Sequence, residues 1–161
     1  MDRIIGIDYG RKRTGLAVSD PLGIFATALE TVSSTNIIEY LKNYASACPI
    51  GKFVLGWPRN LDGSPAEAME YADAFRKQLA KAFPDTEIIL EDERFTSVLA
   101  HRAMIDGGMK ASARADKGAA DRISAAIILQ GYLDRMSGST LSIDPAAVPE
   151  TLSRKVSRRR R

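Results

Sequence analysis

Three short apolar runs joined by turn sequences precede the first helical pattern, and this order constrains the fold more than any other feature of the chain. The runs cover residues 4–7, 14–19 and 24–32, and a strong turn signal at residues 20–23 separates the last two. Short apolar runs bounded by glycine, proline or aspartate are typical of β-strands joined by tight turns. The sequence therefore predicts that the chain begins as an antiparallel three-strand meander.

After residue 33, helical and strand patterns alternate. In chain order we expect a helix up to Pro49, a strand at 52–56, a helix from Pro65 to about Phe83 with Ser64 as its cap, a strand at 86–90, a short helix from Thr96 or Ser97 to about Ile105, and a long helix from about Gly118 to Met136. Such an order predicts an α/β fold in which a five-stranded mixed sheet, the meander plus two parallel strands, has helices on both faces. Right-handed crossovers place the fourth and fifth strands beside the first, on the side away from the hairpin.

The length and composition predict one folded domain with a short tail. A chain of 161 residues can bury a sizeable core, and we assign residues 1–136 to it, whereas residues 137–161 lack periodicity and are predicted to be disordered. The single cysteine, Cys48, excludes an internal disulfide and a thiolate metal cluster. No apolar run approaches the roughly 20 residues of a spanning helix, and no signal peptide is recognisable. We therefore expect a cytoplasmic protein without a membrane partner.

The positive net charge is a property of the tail. The net charge is +3, but six of the last eight residues are lysine or arginine, which leaves residues 1–153 with about −3. A flexible polycation attracts nucleic-acid phosphates through counterion release without reading sequence. Alternatively, the basic tail only increases the solubility of the protein.

Acidic residues from three separate segments are predicted to converge at one edge of the sheet. Asp8 ends the first strand and the acids 91–93 end the fifth, and the carboxyl ends of parallel strands form the edge where ligands of α/β sheets bind. Asp121 lies early in the long helix on an otherwise apolar stripe. Taken singly, Asp8 could be a turn former and Asp121 a first-turn acid favoured by the helix dipole.

Three converging carboxylates repel each other unless a cation lies among them. Oxygen ligands without cysteine or paired histidine favour Mg²⁺ or Mn²⁺, and one or two such ions would suit phosphodiester hydrolysis. Such chemistry suits the hydrolysis of nucleic acid.

Four motifs, in this order, resemble those of the YqgF/RuvX family. They are Gly6 to Gly10 with Arg13 to Val18, Leu55 to Pro58 with Asn60 to Gly63, Asp92 to Ser97, and Lys117-Gly118 with Asp121 before Ala125 to Leu129. The resemblance covers about residues 3–135. It implies a ribonuclease H-like fold and an activity described either as Holliday junction resolution or as pre-16S ribosomal RNA cleavage. One departure is Arg122, where the family often has a small residue.

Carried over by position, the family's catalytic and metal-binding acids fall on Asp8, Glu93 and Asp121. The resemblance thereby selects Glu93 over Asp92, which spacing alone leaves open. It implies an endonuclease that processes the 5′ end of pre-16S ribosomal RNA, with structured RNA and ribosomal precursor particles as partners. The alternatives are a resolvase of branched DNA and a nucleic-acid-binding protein that does not cut. The chain could act as a monomer or a homodimer, although a resolvase would need two sites related by a twofold axis.

Five basic residues are candidates for substrate binding. Arg11, Lys12 and Arg13 flank the predicted site, although hairpin turns are often charged simply because they are solvated. Lys117 lies four residues before Asp121 and could approach the scissile phosphate, or it could be a solvated helix start. Arg94 could contact substrate, but pairing with its neighbouring acids is the interpretation we favour.

Overall fold

The computed structural model describes residues 2–58, 67–92 and 117–137. Within these ranges the strands are β1 (Arg3–Tyr9), β2 (Arg13–Ser19), β3 (Ala26–Ser33), β4 (Ile50–Trp57) and β5 (Glu87–Asp92), and the helices are α1 (Ile37–Ala47), α2 (Met69–Ala82) and α3 (Lys117–Met136). The helix predicted near residues 96–105 and nearly all of the predicted tail lie outside the described residues.

The five strands form one sheet in the order β3-β2-β1-β4-β5. The β1–β2 and β2–β3 pairs are antiparallel, whereas β4 runs parallel to both β1 and β5. The predicted meander, the parallel strands and their placement beside β1 are therefore confirmed. The carboxyl ends of β1, β4 and β5 lie along one edge of the sheet.

Strand alternation divides the core between the two faces of the sheet. On one face, Ile5 and Ile7 of β1 pack with residues of α1 and α2, including Leu41 and Phe75. On the other face, apolar side chains of the sheet pack against α3. The prediction of helices on both faces is thus confirmed. Among the described helices, none has the length and apolar character needed to span a membrane.

Several predicted boundaries differ from the structure. β1 continues through Asp8 to Tyr9, and β5 continues through Glu91 to Asp92, because both segments pair with neighbouring strands beyond their apolar parts. Helix α2 begins at Met69, with Ala68 at its N-cap; the predicted start Pro65 and cap Ser64 lie outside the described residues. Asp8, Glu91 and Asp92 therefore lie within their strands, where strand alternation determines their faces.

Candidate active site

Asp8 lies in the β1–β2 ladder, opposite Gly15. Successive strand residues face opposite sides of a sheet, and a Cβ atom on Gly6 would lie 2.7 Å from Cβ of Leu129 in α3. Asp8, two residues further along, therefore faces the α3 side, and it is half-buried. Because Tyr9 is also paired in the ladder, the chain turns after Asp8 rather than at it. The ladder position argues against the turn-former interpretation, and the ligand interpretation stays a prediction.

Asp121 is placed beside Asp8 by a close contact between α3 and β2. A Cβ atom on Gly15 would overlap the main-chain carbonyl oxygen of Asp121, so the helix backbone lies directly on the strand backbone. Because Gly15 pairs with Asp8, Asp8 and Asp121 lie at the same level of the sheet and on the same face. The structure thus brings together two of the three predicted acids.

The stripe on which Asp121 was predicted to lie is buried. Ala125, Ile128 and Tyr132 are all 3% exposed or less, whereas the Asp121 side chain is 26% exposed. The first turn of α3 contains no acid, so Asp121 lies beyond the first turn. A helix-dipole role, which is confined to that turn, does not explain this carboxylate.

The three basic residues of the β1–β2 connection have different environments. The Nε–H of Arg13 donates a hydrogen bond to Oδ2 of Asp121 at 3.0 Å. The guanidinium of Arg11 lies over the ring of Tyr71 in α2, 4.3 Å from its centroid, which is the geometry of a cation–π contact. Lys12 is exposed. The sequence makes all three candidates for phosphate contact, with a solvated turn as the alternative, and it does not indicate the contact between Arg13 and an acid.

The acids of β5 have distinct roles in the structure. Glu91 is 7% exposed and accepts a hydrogen bond from Nη2 of Arg135 at 2.5 Å. Burial raises the pKa of Glu91, and the Arg135 guanidinium opposes that rise. Asp92 is exposed and, by alternation, faces the opposite side of the sheet from Glu91. The pairing of Glu91 with Arg135 was missed, because nothing in the sequence links residues 44 positions apart.

Ser34 fixes the connection that carries the basic residues, and sequence reasoning also missed it. Its Oγ donates to the carbonyl of Gly10 at 2.5 Å and lies 2.9 Å from Oγ1 of the buried Thr14. Its main-chain N–H donates to the carbonyl of Lys12 at 2.9 Å. One residue after β3 therefore holds both sides of the β1–β2 connection.

Three predicted site residues remain, namely Glu93, Arg94 and Lys117. Glu93 and Arg94 lie outside the described residues, and for Lys117 only the backbone, at the start of α3, is described. Within the described ranges no three histidine, cysteine or acidic side chains form a metal-binding group. Asp8 and Asp121 are nevertheless carboxylates on one face, and this donor chemistry fits a hard divalent cation if a third acid completes the set.

Comparison with models of known protein families shows to which family the chain belongs. The model of a family described as "RuvX: Holliday junction resolvase" matches residues 2–135. The chain belongs to the RuvX family. The resemblance drawn from the four motifs is therefore confirmed over most of the sequence.

Curated relatives of this RuvX-family protein are similar along nearly their whole length. A protein from Azobacteroides pseudotrichonymphae is 50% identical over 134 residues, which cover 83% of this chain and 97% of that protein. One from Parabacteroides distasonis is 48% identical over 134 residues, with 83% and 96% covered. Both are named as proposed pre-16S rRNA nucleases.

Solved structures support the fold of this RuvX-family protein. The RuvC protein of T. thermophilus in complex with a Holliday junction substrate superposes with a TM-score of 0.55 at 15% identity, covering 86% of this chain and 98% of that one. A second Thermus thermophilus RuvC structure gives a TM-score of 0.54 at 14% identity, with 85% and 97% covered. At such low identity the similarity concerns architecture, and it confirms the predicted ribonuclease H-like α/β fold.

Proposed function

We propose that this protein is a divalent-metal-dependent endonuclease that processes the 5′ end of pre-16S ribosomal RNA. The observation that carries the proposal is the placement of Asp8 and Asp121 on one face of the sheet, at one level, through the pairing of Asp8 with Gly15 and the contact of Gly15 with Asp121. The names of the curated relatives support ribosomal RNA as the substrate. Membership of a nuclease family supports hydrolysis of phosphodiester bonds.

The proposed catalytic acids are Asp8, Asp121 and Glu93. Their carboxylates would hold one or two Mg²⁺ or Mn²⁺ ions, which when bound supply water activation and stabilisation of the leaving oxygen. Asp8 and Asp121 are contributed by a strand and a helix that pack directly on each other, so their separation is held by the core. The Arg13 guanidinium balances the charge of Asp121 and orients its carboxylate.

The proposed substrate contacts surround these acids. Lys12 on the β1–β2 connection and Arg13 at the start of β2 are exposed, and Arg11, Arg94 and Lys117 complete the set assigned from the sequence. The basic tail would add phosphate contacts that do not depend on sequence. We place the reaction in the cytoplasm, on structured RNA within ribosomal precursor particles.

A second candidate substrate is branched DNA. The description of the matching family model favours it, because it names Holliday junction resolution. The acids and their chemistry would be the same. Cutting opposed strands of a junction would require two copies of the chain related by a twofold axis.

The test compares wild type with Asp8→Asn and with a matched control, Asp85→Asn. The control makes the same chemical change at an exposed aspartate in the loop before β5. Each protein is incubated with precursor ribosomal RNA and with four-way DNA junctions, in Mg²⁺ or Mn²⁺ and in chelator. We expect wild type and Asp85→Asn to cut the RNA in metal alone, and Asp8→Asn to lose at least 10²-fold in rate, roughly the scale of losing one major electrostatic contribution to catalysis.

The outcomes distinguish the candidates. If the protein cuts the DNA junction but not the RNA, its substrate is branched DNA and its activity is junction resolution. Equal cutting by wild type and Asp8→Asn, or binding without cutting by both, would refute the nuclease proposal. Cutting in chelator would refute its metal dependence.

A further inference from the structure

The Arg13–Asp121 ion pair uses only part of the hydrogen-bonding capacity of the guanidinium. An arginine side chain has five N–H donors in a planar fork. Within the described part of the chain, the acceptor of Arg13 is Oδ2 of Asp121, which it contacts through Nε–H at 3.0 Å. The Nη1 and Nη2 groups lie at the far end of the fork, and the side chain is 44% exposed.

A second arginine–aspartate pair in the same protein shows the contrast. In α2, both Nε and Nη2 of Arg76 donate to Oδ1 of Asp73, at 3.0 and 2.7 Å. The exposed fractions there are 35% and 37%. Arg76 thus donates two hydrogen bonds to its aspartate, from Nε and Nη2. Arg13 donates one hydrogen bond to Asp121, from Nε.

The other arginines near Asp121 are engaged elsewhere. Nη1 of Arg122 donates to Oγ1 of Thr31 in β3 at 3.3 Å, and Arg11 stacks on Tyr71. Arg13 starts β2 on the α3 face, because Gly15, two residues later, contacts α3. Among the arginines named here, Arg13 is therefore the one that both contacts Asp121 and keeps part of its side chain exposed on the α3 side of the sheet.

We propose that Arg13 bridges Asp121 and a substrate phosphate, with Nε–H fixing the carboxylate and the Nη groups binding a phosphate next to the scissile bond. This inference rests on the proposed nuclease function and adds a positioning role to it. The planar fork is essential, since it holds two oxyanions in a fixed relation. A lysine carries the same charge on a single nitrogen, and it cannot reproduce that relation.

The test separates charge from geometry with Arg13→Lys and Arg13→Gln. Arg76→Lys and Arg76→Gln are the matched controls, because they make the same changes in an arginine–aspartate pair on the opposite face of the sheet. RNA binding is measured in chelator across a salt series, which reports phosphate contact without cleavage. Single-turnover cleavage in Mg²⁺ then gives the rate of the chemical step.

The bridge predicts different outcomes for the two Arg13 variants. Arg13→Gln weakens RNA binding about 3- to 10-fold and lowers the salt slope by about 0.7, the contribution of one phosphate contact on a single strand; it also slows cleavage. Arg13→Lys keeps the affinity within about twofold and the salt slope unchanged, yet it slows cleavage at least about tenfold, because Asp121 loses its orientation. Both Arg76 variants match wild type.

Three results would overturn the bridge. If Arg13→Gln keeps wild-type affinity and salt slope, Arg13 only pairs with Asp121 and does not contact the substrate phosphate. If Arg13→Lys cleaves at the wild-type rate, Arg13 is only a positive charge. If the Arg76 variants lose as much as the Arg13 variants, the effect is general destabilisation, which thermal unfolding of all five proteins would also show. Failure of wild type to cut in metal would instead refute the nuclease proposal, and the positioning role with it, while the binding series still reports on the phosphate contact.

Discussion

Gly15 and Asp121 meet backbone to backbone, since a Cβ atom on Gly15 would overlap the carbonyl oxygen of Asp121. A similar contact lies on the neighbouring strand, where a Cβ atom on Gly6 would be 2.7 Å from Cβ of Leu129 and 2.9 Å from the carbonyl oxygen of Ala125. Two glycines on adjacent strands thus let α3 lie close to the sheet. This close packing positions Asp121 beside Asp8.

We predict that Gly15→Ala disrupts the proposed active site. The added methyl group must push α3 away from β2, and overpacking of this kind typically costs about 1–3 kcal/mol. We expect the free energy of unfolding in urea to fall by that amount and RNA cleavage to fall more than tenfold. Gly51→Ala is the control, because its Cβ would lie 2.9 Å from Cβ of Asp2, so the required shift falls on a residue before β1 and not on the contact between α3 and β2. Wild-type cleavage by Gly15→Ala would contradict this account of how Asp121 is placed.

The fold could be predicted from local patterns, whereas the contacts within the site could not. Strand alternation, turn residues and crossover handedness are sufficient for the sheet order, and the apolar stripe of the long helix made Asp121 a candidate. The register that sets Asp8 opposite Gly15 depends on strand pairing, and the bond from Arg13 to Asp121 spans 108 positions. Such contacts arise from packing of the whole domain, so no local pattern encodes them.

The Glu91–Arg135 pair should make stability depend on pH. Burial raises the pKa of Glu91 in the folded state, and Arg135 counteracts this rise. Without Arg135 the folded-state pKa rises further above its ordinary value of 4.5. The folded state then binds more protons than the unfolded state between the two values, so stability is lost as the pH rises through that window.

We therefore predict that Arg135→Gln destabilises the protein more at pH 8 than at pH 4. At pH 8 we expect a loss of about 2 kcal/mol, since a buried carboxylate loses a charged partner that is itself half exposed. Below pH 4.5 the loss should be smaller, because Glu91 is protonated in both states. Chemical denaturation across this pH range measures it, and Arg135→Gln combined with Glu91→Gln should abolish the pH-dependent part. A loss that does not change with pH would contradict the assignment.

Ser34→Ala should loosen the connection that carries the basic residues. Because the Ser34 hydroxyl donates to the Gly10 carbonyl, the nearby Thr14 hydroxyl must donate to Ser34. Alanine removes both bonds in a partly buried place, at a cost of about 1–3 kcal/mol. We expect that decrease in unfolding free energy together with weaker RNA binding in chelator. Ser46→Ala is the control, since it removes only a local bond to the carbonyl of Asn43. Equal effects of the two variants would contradict the idea that Ser34 holds the β1–β2 connection in place.

Removal of residues 154–161 should weaken RNA binding without affecting the chemical step. These eight residues carry six positive charges, and each phosphate contact on a single strand contributes about 0.7 to the salt slope. We expect the slope of log affinity against log salt to fall by about 2 to 4, with the largest loss of affinity at low salt. Single-turnover cleavage at saturating protein should remain within about twofold of wild type, because Asp8 and Asp121 belong to the packed domain.

A variant in which the six basic residues become glutamine separates charge from length and should behave like the truncation. An unchanged salt slope in either variant would refute phosphate binding by the tail, and slower cleavage at saturation would mean that residues 154–161 also act on the chemical step.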